Sequence, residues 1–458
     1  MKLLIYTRRG NSQWWRFVVS QMQSVRCFET VSELRGEGGE SLASRFYETL
    51  KNKNAKLFAD KYFTALEIND IIARCRLLRS LDRTLAVEMI GAMTASIDEL
   101  ISKVQPTAFL STRVDSYVLD LFHRLLKTRD IPYIGLWRAA LFSNMCFFTT
   151  RGESNPIREV SRQEVEEGLL SVSADDFAAT SIRNRNRENA ISFFRKRAYY
   201  AVRDRFLDVQ RYIFRDPLGY RYLTSGLHVP EYRVSFADWR AIKFSYFDWK
   251  SHVANFPFEK RVFVALQVNP ESTIDYYVKN SELLNCERVL IKMFKALSES
   301  GYGVVVKDHP NMYAMRPAKF FDSLKGCGNI YFAPYDTSSN ELIDYCGITF
   351  TWTGTVGIQS VLKGRKTVVT NPTYFDHRAH IKIESINDLD SIVQKIETFD
   401  MNLDRHSISY EMVERVLKGC FTGSIDWNGF NNNSAEAKES ARQLAHSLDK
   451  YIPKLLKL

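Results

Sequence analysis

Residues 347–370 read GITFTWTGTVGIQSVLKGRKTVVT, and the fold turns on how this stretch divides. Gly347 to Trp352 is a short apolar and β-branched run, which reads as a buried strand. It empties into Thr353-Gly354-Thr355, small residues that open a helix, and the helix from Val356 to Lys363 halts at Gly364. Thr367 to Thr370 is a second apolar run, closed by Asn371 and Pro372. Strand, helix and strand in so short a span make a βαβ unit, and such a unit demands a parallel sheet.

The alternation continues upstream. Val262 to Val268 reads as a strand, Ser281 to Ser298 as a helix ending at Gly301, and Val304 to Lys307 as a strand closing in the His309-Pro310-Asn311 turn. A helix over Pro317 to Leu324 and a strand over Ile330 to Phe332 complete a domain spanning 256–400. Residues 1–255 open with a strand at Leu3 to Tyr6 and turn largely helical. Arg83 to Val104 carries apolar positions at helical spacing. Strand Thr107 to Leu110, helix Val114 to Lys127 and strand Ile131 to Leu136 then form another βαβ unit.

In the tail, 401–458, Ser434 reads as an N-cap. Ala437, Ala441, Leu444, Ala445, Leu448 and Ile452 share one face of a helix that crosses back to the N-terminal domain. The expected fold is α/β, with two Rossmann-like domains, an interdomain cleft and that C-terminal crossover helix. A length of 458 residues suits two domains, and no repeat period suggests a solenoid or propeller.

Seven cysteines stand singly, without CxxC pairs or nearby histidines, as expected of reduced thiols in a cytoplasmic protein. The N-terminal apolar run is too short for a signal peptide, and no later segment is apolar enough to span a bilayer. Net charge is +10, and twelve Lys/Arg against six Asp/Glu fall between Arg195 and Lys250. Aromatics from Phe193 to Trp249 crowd the same segment. Basic and aromatic together fit an anionic phospholipid surface, an acidic glycan or nucleic acid. No nucleic-acid-binding motif accompanies them, so nucleic acid is not expected as a partner. The bland alternative is an aromatic core with a solvated charged face.

The chemistry concentrates at two strand ends. Thr353, Gly354 and Thr355 bring hydroxyls and free N–H groups to a helix start, which suits phosphate. The competing reading makes Thr353 a cap and Gly354 a turn residue. Lys307 and His309 end the strand at Val304 to Lys307, and in an open α/β sheet ligands bind outside such ends. Lys307 can offset phosphate charge, and His309 can donate to a phosphate oxygen or leaving group. Asp388-Leu389-Asp390 is read as helix capping, so no metal or other cofactor is expected.

VVVKDHP (304–310) and SSNELIDYCGITFTWTGTVGIQSVLKGRKTVV (338–369) resemble the bacterial capsule and surface-polysaccharide glycosyltransferases, including Kdo transferases. The resemblance covers about 260–380. It implies a GT-B fold and a CMP-activated sugar whose phosphate meets Lys307, His309, Thr353, Gly354 and Thr355, with Ser339 and Glu341 as nucleotide contacts. Where that family has Glu after Gly-Ile, this chain has Gln359, so no carboxylate stands there. QVNPESTIDY (267–276) is similar to the family's PEAT-like loop and offers Glu271 and Asp275. Glu153, in TTRGESN (149–155), is the carboxylate expected from the N-terminal domain. Sugar transfer needs a carboxylate to accept the acceptor's proton or to attack the anomeric carbon. Glu153 is assigned acid/base chemistry, with Asp275 or Glu271 as its partner.

The expected activity is transfer of Kdo or a related 2-keto sugar acid from its CMP donor to a lipid-linked or growing bacterial glycan, with peripheral contact at the anionic inner membrane. The rivals are a nucleotide-sugar 2-epimerase, a CDP-glycerol transferase and a noncatalytic glycan-assembly protein.

Overall fold

A computed structural model describes residues 1–8, 10–33, 39–52, 54–173, 190–214, 234–235, 248–269, 271–324, 326–370, 376–400 and 405–456. Thirteen strands run through the described residues: β1 (Lys2–Tyr6), β2 (Cys27–Ser32), β3 (Glu40–Ser41), β4 (Ala108–Thr112), β5 (Tyr133–Arg138), β6 (Met145–Phe148), β7 (Arg261–Ala265), β8 (Gly303–Lys307), β9 (Ile330–Ala333), β10 (Ile348–Thr351), β11 (Lys366–Val369), β12 (His380–Lys382) and β13 (Cys420–Thr422). The helices that matter below are α1 (Ser12–Ser20), α2 (Arg83–Val104), α3 (Tyr117–Lys127), α4 (Ala190–Phe214), α5 (Cys286–Glu299), α6 (Ser339–Tyr345), α7 (Val356–Leu362) and α8 (Ala435–Leu455).

The chain is α/β, built on two parallel-dominated sheets. Its described residues form two compact units. One holds those of Met1–Val160 and Arg415–Leu458, the other those of Ser161–Arg215 and Ser225–Glu414. The second thus takes in residues upstream of the boundary read near 255, for a packing reason: Phe193 of α4 lies in the same buried cluster as Val262, Val304 and Phe350.

The first unit carries a seven-stranded sheet in the order β13-β6-β5-β4-β1-β2-β3. Its core strands are parallel, and β6 runs antiparallel to both β5 and β13. Leu3 and Ile5 of β1 pack with Trp14, Trp15 and Val18 of α1 and with Ala441, Leu444 and Leu448 of α8. Ser434 accepts from the Ala437 N–H at the start of α8, so the apolar stripe read in the tail is buried. The expected helix Val114 to Lys127 begins later, at Tyr117, because Ser116 takes the cap and accepts from the Leu119 N–H. Strand β2 (CFETVS) is absent from the sequence reading, which runs this region as helical.

The second unit carries six strands, all parallel, in the order β12-β11-β10-β7-β8-β9. Alternate residues face opposite layers. Val262, Val264, Val304 and Val306 meet α5, while Phe263 and Val305 meet Trp249, Val253 and Leu342. The long helix expected over Ser281 to Ser298 is two pieces, because Asn285 accepts from the Arg288 N–H and restarts it as α5. Asp388 lies in a capping box with Ser385.

Of the basic-aromatic segment, Tyr220, Tyr222, Tyr232, Phe236, Trp239, Phe244, Tyr246 and Phe247 fall outside the described residues. All seven cysteines are free, and all but Cys27 are buried. Among the described residues no helix is long and apolar enough to cross a membrane.

Gly91 lies in α2 where the helix Ala55–Tyr62 crosses, and a Cβ there would sit 1.7 Å from the Ala55 carbonyl oxygen. Backbone cannot yield as a side-chain tip can, so Gly91→Ala is expected to destabilise the protein by about 1–3 kcal/mol. Urea unfolding measures it, and an unchanged midpoint would contradict this packing.

Candidate functional site

In the second sheet the chain runs outward from β7 through β8 to β9, then returns to the far side of β7 as β10. The strand order therefore reverses between β7 and β10, and in open parallel sheets ligands bind outside the carboxyl ends at that reversal. Lys307 and Thr351 both pair with Ala265, one from each side, so the ends of β8 and β10 lie level across β7. Alternation along the strands puts all three residues on one face of the sheet.

At the end of β10, the Gly354 N–H donates to Thr351 Oγ1 at 3.2 Å. A Cβ on Gly354 would come within 2.7 Å of that oxygen and 3.6 Å of Gln267 Oε1. Glycine is therefore what lets this turn fold back on Thr351, while the Gln267 side chain stands at ordinary contact distance. Thr353 is 8% exposed, and its Oγ1 is enclosed without a hydrogen-bond partner. Helix α7 starts just beyond, where the Gly357 and Ile358 N–H groups already donate to the Gly354 and Thr355 carbonyls at 3.0 Å, so any anion there meets the N–H groups ahead of them.

At the end of β8, Lys307 is buried. Asp308 accepts two bonds from Arg316, at 2.9 Å from Nε and 2.7 Å from Nη2, and both side chains are about 95% shielded. Asp308 also accepts from Tyr335 Oη at 3.0 Å and from the His309 N–H at 2.8 Å. Arg316 reaches across to the Gln267 carbonyl at 2.9 Å. The pair thus holds the His309 turn and the β7 loop together. Burial and Asp308 leave the Tyr335 hydroxyl well above its usual pKa, while Asp308 keeps the Arg316 guanidinium firmly protonated despite burial.

His309 Nδ1 accepts from the Asn311 N–H at 3.1 Å, so in the neutral ring the proton sits on Nε2. Burial pushes its pKa below the ordinary value; Glu271 and Asp308 oppose the shift, and Lys307 and Arg316 reinforce it. At neutral pH His309 is a neutral Nε2–H donor. Glu271 accepts from Gln267 Nε2 at 3.0 Å and Thr273 Oγ1 at 2.8 Å, and it lies close enough to His309 to act on its charge.

The structure therefore gathers Lys307, His309, Glu271, Thr353, Gly354 and Thr355 at one edge of one sheet. Ser339 opens α6 beyond β9 at the same edge. Glu341, one turn in, pairs with Lys250 at 2.6 Å on the surface. Asp275 is 1% exposed. Glu153 belongs to the first unit, where its carboxylate accepts the Thr150 and Arg151 N–H groups at 2.6 Å. Among the described residues no group of three or more His, Cys, Asp or Glu is placed to hold a metal ion.

Sequence reasoning missed Gln267 as a link, and it missed Arg316 and Arg197. Arg197 of α4, 2% exposed, donates to the Ala314 and Arg316 carbonyls at 3.0 Å, and Ala314 holds a left-handed φ of 61°. Tyr313 packs edge-on to Phe193 and Tyr335. Helix α4 thus fixes the loop that delivers Arg316.

No protein-family model matches the chain, and no curated protein matches it. Solved structures with similarity include KpsC β-Kdo 2,7 transferase of Thermosulfurimonas dismutans, at 12% identity and TM-score 0.36, covering 97% of this chain and 99% of that one. UDP-GlcNAc 2-epimerase of Methanocaldococcus jannaschii in complex with UDP-GlcNAc and UDP shares 12% identity at TM-score 0.28, with 91% and 99% covered. The S. aureus MnaA–UDP structure shares 8% at TM-score 0.29, with 95% and 97% covered. Likeness at this level decides nothing about the reaction.

Arg316→Met would leave Asp308 buried without its cation. Breaking one side of such a pair is expected to cost about 3–5 kcal/mol. Chemical denaturation reads it directly, and a loss below about 1 kcal/mol would show that the pair does not hold these loops.

Proposed function

We propose that the edge formed by β7, β8 and β10 binds the phosphate of a nucleotide-activated sugar, and that the chain is a glycosyltransferase. The observation that supports this most is the register. Lys307 and Thr351 flank Ala265 level with each other, so a cation and a neutral imidazole donor rise on one side of β7 and a glycine-threonine helix start rises on the other. The proposed anion sits between them. The motif resemblance points to a CMP-activated donor carrying Kdo or a related 2-keto acid, and to a surface glycan or glycolipid as acceptor.

In the proposed reaction the bond between the anomeric carbon and the phosphate oxygen breaks, and negative charge grows on the departing phosphate. Lys307, the Thr353 hydroxyl and the Thr355 N–H are the groups assigned to meet that charge, with His309 Nε2–H donating to the leaving oxygen. The acceptor hydroxyl attacks the anomeric carbon, and its proton passes to a carboxylate. Glu153 keeps the acid/base assignment. Of its two candidate partners Glu271 is preferred, because it acts on His309 while Asp275 is enclosed. Ser339 is assigned to the nucleotide, and Glu341 would have to leave Lys250 to join it.

Calorimetric titration with CMP, CDP and UDP is expected to give binding to CMP above the other two. His309→Ala and Lys307→Gln, each checked for an unchanged thermal midpoint, should weaken CMP binding by roughly tenfold to a hundredfold, the worth of a charge-assisted hydrogen bond. Both should also abolish transfer. Wild-type turnover in His309→Ala would overturn the assignment, and conversion of a nucleotide sugar without any acceptor would make the protein an epimerase instead.

A further inference from the structure

Helix α4 has two faces that obey different rules. Phe193, Arg197, Ala201 and Asp204 are buried, Phe193 in the core of the second unit to which the helix belongs. On the other side Ile191, Phe194, Tyr199, Val202, Phe206, Val209, Tyr212 and Ile213, spaced mostly three to five residues apart, share one side of the helix and stand between 46% and 81% exposed. Arg195 and Arg205 are exposed among them. Neither acid of the helix joins this face: Asp204 is buried, and Asp208 lies on its flank. Eight apolar side chains in a row along 25 helical residues, roughly 37 Å, greatly exceed the scattered apolar exposure normal for a soluble surface.

We infer that this face of α4 docks on an anionic phospholipid surface, lying in its interface while the opposite face stays anchored to the protein. The charge pattern selects this occupant. Arginines set among aliphatic and aromatic side chains match headgroup phosphates above an acyl boundary, and Tyr and Phe suit that depth. A second copy fits poorly, since pairing α4 with itself brings Arg195 and Arg205 together with no acid to meet them. Nucleic acid fits poorly too, because two cations against eight apolar groups would desolvate far more surface than phosphate could reward. The inference does not depend on the donor assignment, and its test needs no activity.

The test uses the full chain and sedimentation with vesicles of phosphatidylcholine, with and without a quarter phosphatidylglycerol. Wild type should sediment with the anionic vesicles, and added salt should release part of it. The double variant Val202→Ser and Phe206→Ser should lower the bound fraction at least about tenfold. Arg195→Gln with Arg205→Gln should remove the preference for phosphatidylglycerol while leaving the thermal midpoint in place. Binding that both variants retain, or no binding by wild type, overturns the inference. So does a dimer that Val202→Ser and Phe206→Ser dissolves in the absence of vesicle binding, which would give the face to a second copy.

Discussion

The candidate site depends on one buried ion pair, Arg316 with Asp308. Burying two charges is costly, and an apolar replacement of the same shape often serves stability as well. What the pair supplies here is position. Asp308 spends its remaining capacity on the His309 N–H and the Tyr335 hydroxyl, and Arg316 spends its own on the Gln267 carbonyl. Gln267 in turn holds Glu271 and stands against Gly354. The loops leaving β7 and β8 are thereby tied at one point, and the imidazole tautomer at His309 is set by the turn that the pair secures.

Much of this was legible in the sequence, and the limits have physical causes. The βαβ reading of 347–370 follows from local pattern: a β-branched run, small residues, a helix, and glycine at Gly364 with φ of 69°. Helix α2 runs from Arg83 to Val104, as its apolar spacing predicts. Lys307 and His309 were visible because strand ends in such sheets are where polar residues carry chemistry. Arg316 was not: it lies in a Met-Arg-Pro stretch with no local signal, and its value comes from partners eight and forty-nine residues away. Strand β2 escaped because CFETVS has polar residues and an exposed first half, so sheet pairing rather than propensity makes it a strand. The break at Asn285 did carry a signal, an asparagine ahead of a helical run, and the longer helical period hid it.

Helix α4 connects two properties that the sequence presents as a single basic and aromatic blur. Its inner face supplies Arg197, which grips the carbonyls flanking Met315, and Phe193, which packs on Tyr313. Its outer face is the apolar and arginine-bearing strip. Both demands fall on one helix, which explains why its composition satisfies neither a plain core pattern nor a plain solvated one. Ala314, forced to a positive φ without glycine, marks where the inner face pins the loop, since that strain persists only when the surroundings hold it.

The central claim is that one anion is held between the ends of β8 and β10. A crystal structure with CMP bound tests it most directly. The phosphate should lie within hydrogen-bonding distance, about 2.7–3.2 Å, of Thr353 Oγ1 and Lys307 Nζ, with His309 Nε2 turned toward it. A phosphate seated elsewhere on the molecule, with Thr353 and Lys307 untouched, would contradict the account.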